Sequence, residues 1–506
     1  MQPQPTLDVR LVPAALTAWA VTAAGITWQI GPLIAGICCA AATGWWLTWR
    51  TLGSSRPVLH AAGVGVLSVA LVGVGFGVAI ALRSHAVEHH PVGQLFGRTA
   101  WVTVTPEESP RSVGSGRLMF RAALVRIADD DTAGHVVVFA RGVDFAGLTV
   151  GRPARFRARI TRPRRRDLTV AALTAVGRPA FGEASAVQRA AQGVRTRFAA
   201  AARKALPADQ AAMLPGLVLG DTATVSAATT AEFRTGGLTH LTAVSGANVT
   251  IVCGAVLLSA RLIGPRPAVA LAALALVVFV IVVQPTASVL RAAVMGAVAL
   301  LAVLSARRRQ GIPVLSAAVV ALLVCAPQLA VDVGFVLSVS ATAALIVVAP
   351  FWSARLVARG CPKPLADAVC IALAAHLVTA PLIAAISGQL SLVAVITNLI
   401  VAPVIPPITV LGTAAAALST LWPAAADLLI RFTGPEVWWL LRCAHAAAAL
   451  PGAAVAVPSG WPGIAAVGSA VVGAVVLWRW RWFRLGMATG LLCALAWSVS
   501  GVVGGP

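Results

Sequence analysis

The sequence predicts a polytopic α-helical membrane protein of about 13 transmembrane helices, with a small OB-like β-barrel inserted on the extracytoplasmic side. Three observations carry that reading. The chain of 506 residues is 58% hydrophobic and only 11% charged, with a mean hydropathy of +0.87. Apolar runs of about 18–25 residues recur along it, the length that crosses a hydrocarbon core. One long polar interval, 84–236, interrupts them with the two-residue alternation of strands, and basic residues gather in every second short loop.

Apolar spans fall near 11–29, 31–48, 58–82, 237–262, 267–284, 286–305, 312–326, 329–350, 365–387, 390–416, 434–450, 461–478 and 485–503. "MQPQPTLDVRLVP" carries one arginine and no clear cleavage site, so the first span reads as an anchor. The arginine-bearing loops "RTLGSSR", "RLIGPR", "ARRRQG", "RLVARGCPK" and "RWRWFR" are expected to face the cytoplasm. That rule puts the N-terminus inside and both 84–236 and the C-terminus outside. Four regions follow: three helices over 1–83, a barrel over 84–182, amphipathic and interfacial helices over 183–236, and a polytopic domain over 237–506.

Within the polar interval, 99–105, 118–127, 135–141, 153–160 and 168–176 read as strands, with "ADDDTAGH" as a strong turn between the second and third. Five short strands suit a small barrel, of which an OB-like one is the simplest. From 185 to 206, Val187, Ala191, Val194, Phe198, Ala202 and Leu206 recur at helical spacing, an amphipathic helix expected to lie on the membrane. A shorter helix is expected near 223–235.

Net charge is +22, and between 84 and 210 twenty Arg or Lys face ten Asp or Glu. "RFRARITRPRRR" is the dense piece. As a strand it puts Arg155, Arg157 and Arg159 on one face and Phe156, Ala158 and Ile160 toward the core, followed by Arg164, Arg165 and Arg166. Such a row fits a phosphate backbone, and equally a solvated face or anionic lipid headgroups. The eight cysteines lie in or beside apolar spans with no CxxC pair, which excludes a disulfide framework or cysteine zinc site from expectation.

Polar residues at membrane depth are rare and informative. They are Arg291 in "QPTASVLRAAVM", Asp332 and Ser338 in "DVGFVLSVSATAAL", His376, and Gln389, Ser391 and Asn398 in "SGQLSLVAVITNLIVAPV". "FRTGGLTHLTAVSGANV" adds His240, Ser245, Gly246 and Asn248. Singly these read as interhelical hydrogen-bond glue; together they read as a polar pathway. No carboxylate stands near His240 to orient it, and "VSGAN" is not a nucleophile elbow. His89, His90 and His135 lack metal-ligand spacing. No catalytic residue, metal or cofactor is therefore expected, and the chain is not read as an enzyme.

These motifs in this order, with "LPGLVLGD" before them, resemble the ComEC family of competence proteins over roughly 84–460, in a form like the actinobacterial branch. The resemblance implies an inner-membrane channel (the 237–506 competence domain) that imports single-stranded DNA in natural transformation. It places His240, Ser245, Gly246, Asn248, Arg291, Asp332 and Ser338 at the family's motif positions, with Gln389 and Asn398 beside them as lining residues. Val336 replaces the family's usual glutamine. Many members continue into a metallo-β-lactamase-like domain, whereas this sequence stops at "GVVGGP", so a short form without that nuclease is expected. The partners implied are single-stranded DNA, membrane lipids, a DNA receptor, a separate nuclease and a cytoplasmic ATP-driven motor, since no nucleotide-binding loop is present. The rival reading is a small-molecule or lipid transporter with an extracytoplasmic docking domain.

Overall fold

A computed structural model of the chain describes residues 8–52, 57–114, 116–128, 130–242, 246–284, 287–304, 311–477, 480 and 489. Helices α1 (Val12–Trp28), α2 (Gly31–Leu52) and α3 (Pro57–Glu88) precede strands β1 (Thr99–Pro106), β2 (Arg111–Ser112), β3 (Arg117–Ile127), β4 (Asp130–Arg141), β5 (Ala154–Thr161) and β6 (Thr169–Phe181). Then come α4 (Ala186–Ala205), α5 (Ala208–Leu219), α6 (Ala227–Thr235), α7 (Gly246–Ser259), α8 (Pro265–Val283), α9 (Ala287–Leu304), α10 (Gly311–Cys325) and α11 (Val333–Val357). The chain continues through α12 (Lys363–Ser387), β7 (Gln389–Ser391), α13 (Ala394–Val401), α14 (Ile405–Leu421), α15 (Pro423–Phe432), α16 (Gly434–Ala449), β8 (Ala454–Ala456) and α17 (Trp461–Leu477).

Two compact units share these elements. One comprises Met1–Thr196 with Val252–Val336, the other Arg197–Ile251 with Leu337–Pro506. In the first, β1, β5, β6, β4 and β3 pair in that order, and a further β1–β3 pairing closes the barrel. The β4–β6 pairing is parallel, and the other four are antiparallel. Strict alternation builds the interior: Val102, Val104, Phe120, Phe156, Ile160 and Leu173 are buried, with Phe145 edge-on to Phe156 at 5.2 Å. Apolar α1 packs along α3 and α10 in the same unit, and α8 along α9. In the second unit α12 packs on α17, α5 on α14, and α13 and α6 on α16, while β7 pairs with β8.

Among the described residues, five helical stretches are long and apolar enough to cross a membrane: Gly65–Leu95, Pro265–Val283, Val333–Val357, Lys363–Ser387 and Ala394–Leu421. Six shorter apolar helices accompany them. The expected span at 485–503 lies, apart from residue 489, outside the described residues. Three expected spans are re-cut. The helix expected over 237–262 begins only at Gly246, because 239–241 is a single 3-10 turn after the paired glycines. The one expected over 329–350 starts at Val333 and runs on to Val357. The one expected over 390–416 is split between α13 and α14 by a 3-10 turn at 402–404, where Pro403, Pro406 and Pro407 withhold backbone donors.

Two other expectations need correction. "DDTAGH" (130–135) is strand and not turn: β4 starts at Asp130, after a reversal at Ala128 in the left-handed region (φ 52), and Arg126 clasps Asp131 across the hairpin at 2.8 Å. The "LPGLVL" segment, for which the sequence assigned no element, lies in α5, whose residues Met213 to Leu219 are all buried. The apolar face of α4 is not laid on lipid. Phe198 and Ala202 are wholly enclosed by protein, and buried Arg195 donates to the carbonyls of Val282 and Val283 at 3.3 and 3.2 Å, capping the end of α8.

Candidate functional site

On the barrel, β5 alternates without a break: Ala154, Phe156, Ala158 and Ile160 are buried while Arg155, Arg157 and Arg159 are exposed. Its neighbour β1 brings Thr103, Trp101 and Thr99 opposite these arginines in register. Trp101 is 47% exposed, and the Arg155 guanidinium carbon stands 5.5 Å from the centre of its ring. An indole left in water beside three guanidiniums is a flat, polarisable surface within a positive field. Sequence reasoning missed Trp101, although "TAWVTVT" contains the signal: with Val102 and Val104 inside, Trp101 must point out. No ion pair among the described residues engages Arg155, Arg157 or Arg159.

The other three arginines sit elsewhere, in the loop between β5 and β6. Arg164 and Arg165 are exposed, and Arg166 Nη1 donates to the Thr27 carbonyl at the end of α1, 3.3 Å away. The expected group of six is therefore two groups.

A cavity of about 950 Å³ lies between the barrel, α4 and the ends of α8 and α10. Several of its charged groups pair with one another. Arg121 reaches Glu108 at 3.9 Å and Asp167 at 3.7 Å, and His135 Nδ1 meets Glu107 at 3.1 Å. The hydrogen bond to the Glu107 carboxylate holds the His135 imidazole above its ordinary value, against the desolvation that pulls it down. Gln284, in a left-handed conformation (φ 77), accepts from Ser109 Oγ at 2.9 Å and so links the barrel to the end of α8.

Within the helices of the same unit, Arg291 and Asp332 face each other. Arg291 is 5% exposed, and its Nη1 lies 3.7 Å from Asp332 Oδ1. The same carboxylate oxygen accepts from the Phe335 backbone N–H at 2.8 Å, capping α11, and the guanidinium carbon stands 5.9 Å from the Phe335 ring centre. Trp19 of α1 completes the cluster, edge-on to Phe335 at 4.9 Å and donating to the Ala330 carbonyl at 2.9 Å. A side chain at Gly334 would bring its Cβ to 3.0 Å from Asp332 Oδ1, so the glycine keeps that approach open. Arg291 Nε and Nη1 make no hydrogen bond to the described protein, an uncompensated donor set at depth.

The polar residues of the second unit hold backbone in place. Asn248 is buried and its Nδ2 donates to the Leu217 carbonyl at 3.1 Å. Ser391 Oγ donates to Thr235 O at 2.6 Å, and Asn398 Nδ2 to Ala394 O at 2.8 Å and Gly237 O at 3.4 Å. Together they pin the turn 235–237 from which the "THL" segment projects, with His240 exposed at its tip. Gly246 is the exposed first residue of α7, and Ser245 lies outside the described residues. Ser338, half-buried in α11, accepts through its carbonyl from Thr342. Gln389 is exposed in β7 opposite Ala456, after Gly388 (φ 64) turns the chain out of α12.

No curated protein and no solved structure matches the chain. A family model described as "Competence protein" matches residues 217–482, more than half of the sequence, and takes in every motif from Asn248 to Asn398. The chain therefore belongs to the ComEC-like competence-protein family, membrane proteins with a role in DNA uptake.

Proposed function

We propose that this chain is a channel in the bacterial inner membrane through which single-stranded transforming DNA enters, acting as a conduit and not as an enzyme. The observation that carries the proposal is the exposed Trp101 set among Arg155, Arg157 and Arg159. Guanidiniums at a two-residue repeat can each meet a backbone phosphate, and the indole offers a stacking surface to an unpaired base. The closed five-strand order, with its one parallel contact, supports treating the barrel as OB-like. The competence domain supplies the path, and the receptor, the nuclease and the ATP-driven motor are separate proteins.

The full-length protein in lipid nanodiscs should bind single strands without sequence preference. Its log affinity should fall with log salt by about 0.7 per phosphate engaged, so changing the three strand arginines to alanine should flatten the slope by about 2. Trp101→Ala should weaken single-strand binding by about 1–3 kcal/mol and leave the slope unchanged. Binding that ignores salt, or that survives all four substitutions, would remove the barrel from the DNA path.

The proposed orientation has the N-terminus in the cytoplasm and 84–236 outside, on the strength of the arginine-bearing loops. In a cysteine-free background, a cysteine placed at Asp130 in the barrel hairpin should react with an impermeant thiol reagent added to intact cells. Reaction only after the cytoplasm is opened would reverse the topology.

A further inference from the structure

The loop between β5 and β6 is the most basic piece of the barrel, and one of its arginines reaches the end of α1. Arg166 Nη1 donates to the Thr27 carbonyl at the last turn of α1. Gln29, directly after α1, hydrogen-bonds Glu88 at the end of α3, which fastens the two helix ends together. Arg162 is engaged over the Phe96 ring at 5.6 Å. That leaves Arg164 and Arg165 exposed beside the end of a helix with no charged residue.

Trp28, the final residue of α1, is 70% exposed. At roughly 1.5 Å per residue, the 17 residues of α1 span about 26 Å, close to the thickness of the hydrocarbon layer. The end of α1 is therefore where hydrocarbon gives way to headgroups, the depth at which exposed tryptophan settles. Guanidiniums held at that level meet phosphate diesters in fork geometry.

We infer that Arg164 and Arg165, with Trp28, form a docking surface for the headgroups of anionic phospholipids, seating the barrel on the membrane around α1. This separates the loop from the strand row. Arg155, Arg157 and Arg159 run back along β5 over about 13 Å from the loop, free to take a nucleic acid while the loop holds lipid. The inference does not depend on what the strand row binds.

The test is amide exchange across 162–168 in the full-length protein, in nanodiscs of phosphatidylcholine alone and of phosphatidylcholine mixed with phosphatidylglycerol. Each arginine near an anionic surface contributes about a fivefold preference, so the two together should slow exchange by up to about twenty-fivefold in the anionic discs. The double variant Arg164→Ala, Arg165→Ala should lose that protection, while Arg164→Lys with Arg165→Lys should keep most of it. Single-strand affinity in zwitterionic discs should stay within about twofold of wild type for both. Equal exchange in the two lipid mixtures overturns the inference. So does a drop in single-strand affinity of tenfold or more in the alanine variant, which would give the loop to DNA instead.

Discussion

Asp332→Ala is expected to abolish transformation and to lower the abundance of the protein. One carboxylate oxygen has two tasks here: it is the counter-charge of Arg291 at 3.7 Å, and it caps α11 through the Phe335 N–H at 2.8 Å. Removing one member of a buried ion pair costs about 3–5 kcal/mol, since the other charge stays in place without compensation. Losing the cap adds about 1 kcal/mol. Arg291 has no other outlet, being 5% exposed with Nε and Nη1 already unbonded. Asp332→Asn keeps the capping oxygen and loses the charge, so it should fall between alanine and wild type in abundance.

The double variant Arg291→Met, Asp332→Asn separates folding from transport. It removes both charges and keeps the cap, so abundance should recover. If uptake is still absent at normal abundance, the pair acts in transport; if uptake returns, the pair is scaffolding. Wild-type transformation by Asp332→Ala at wild-type abundance would show that the residue is dispensable to both.

The second large effect is expected at Gly237, and not at its neighbour. Gly237 is in the left-handed region (φ 70), and an added Cβ would stand 2.3 Å from the Ala394 Cβ. An alanine there costs about 1–2 kcal/mol in backbone energy, and overpacking against α13 adds about 1–3 kcal/mol. The turn must move, taking with it the carbonyls that Ser391 and Asn398 hold and the His240 segment beyond. Gly237→Ala should therefore eliminate transformation while single-strand binding by the barrel stays within about twofold. Gly236 has an ordinary helical conformation (φ −73), and its added Cβ would meet nothing closer than 3.4 Å. Gly236→Ala should be close to wild type. Equal uptake in the two variants would show that the turn is not under the constraint described.

Much of the barrel face was legible because a strand exposes alternate residues whatever its partners are. "RFRARI" needed only that rule to put its arginines outside, and "TAWVTVT" should have given Trp101 by the same rule. The α5 segment was not legible. "MLPGLVLG" has the local marks of a break, yet seven successive residues are buried once other chain segments close round them. Proline and glycine report local cost, and burial from all sides outweighs it. In the same way, "DDTAGH" looked like a loop by composition, and cross-strand pairing of Ile127 with Asp130 made it a strand.

What the sequence determined by itself is what local periodicity and composition govern. The apolar runs require a membrane-like surrounding, the two-residue alternation requires strands with an arginine face, and the ordered motifs identify the family. Only the tertiary structure decided which groups satisfy which. It gave Arg291 to Asp332 and placed Gly334 to allow their approach. It gave Asn248, Ser391 and Asn398 the carbonyls of Leu217, Thr235 and Gly237 as partners. It split six arginines between a strand face and a helix end. The reason is that a buried polar group must find a partner wherever packing brings one, and packing joins residues that can be more than a hundred and fifty positions apart. No local pattern in the chain records that choice.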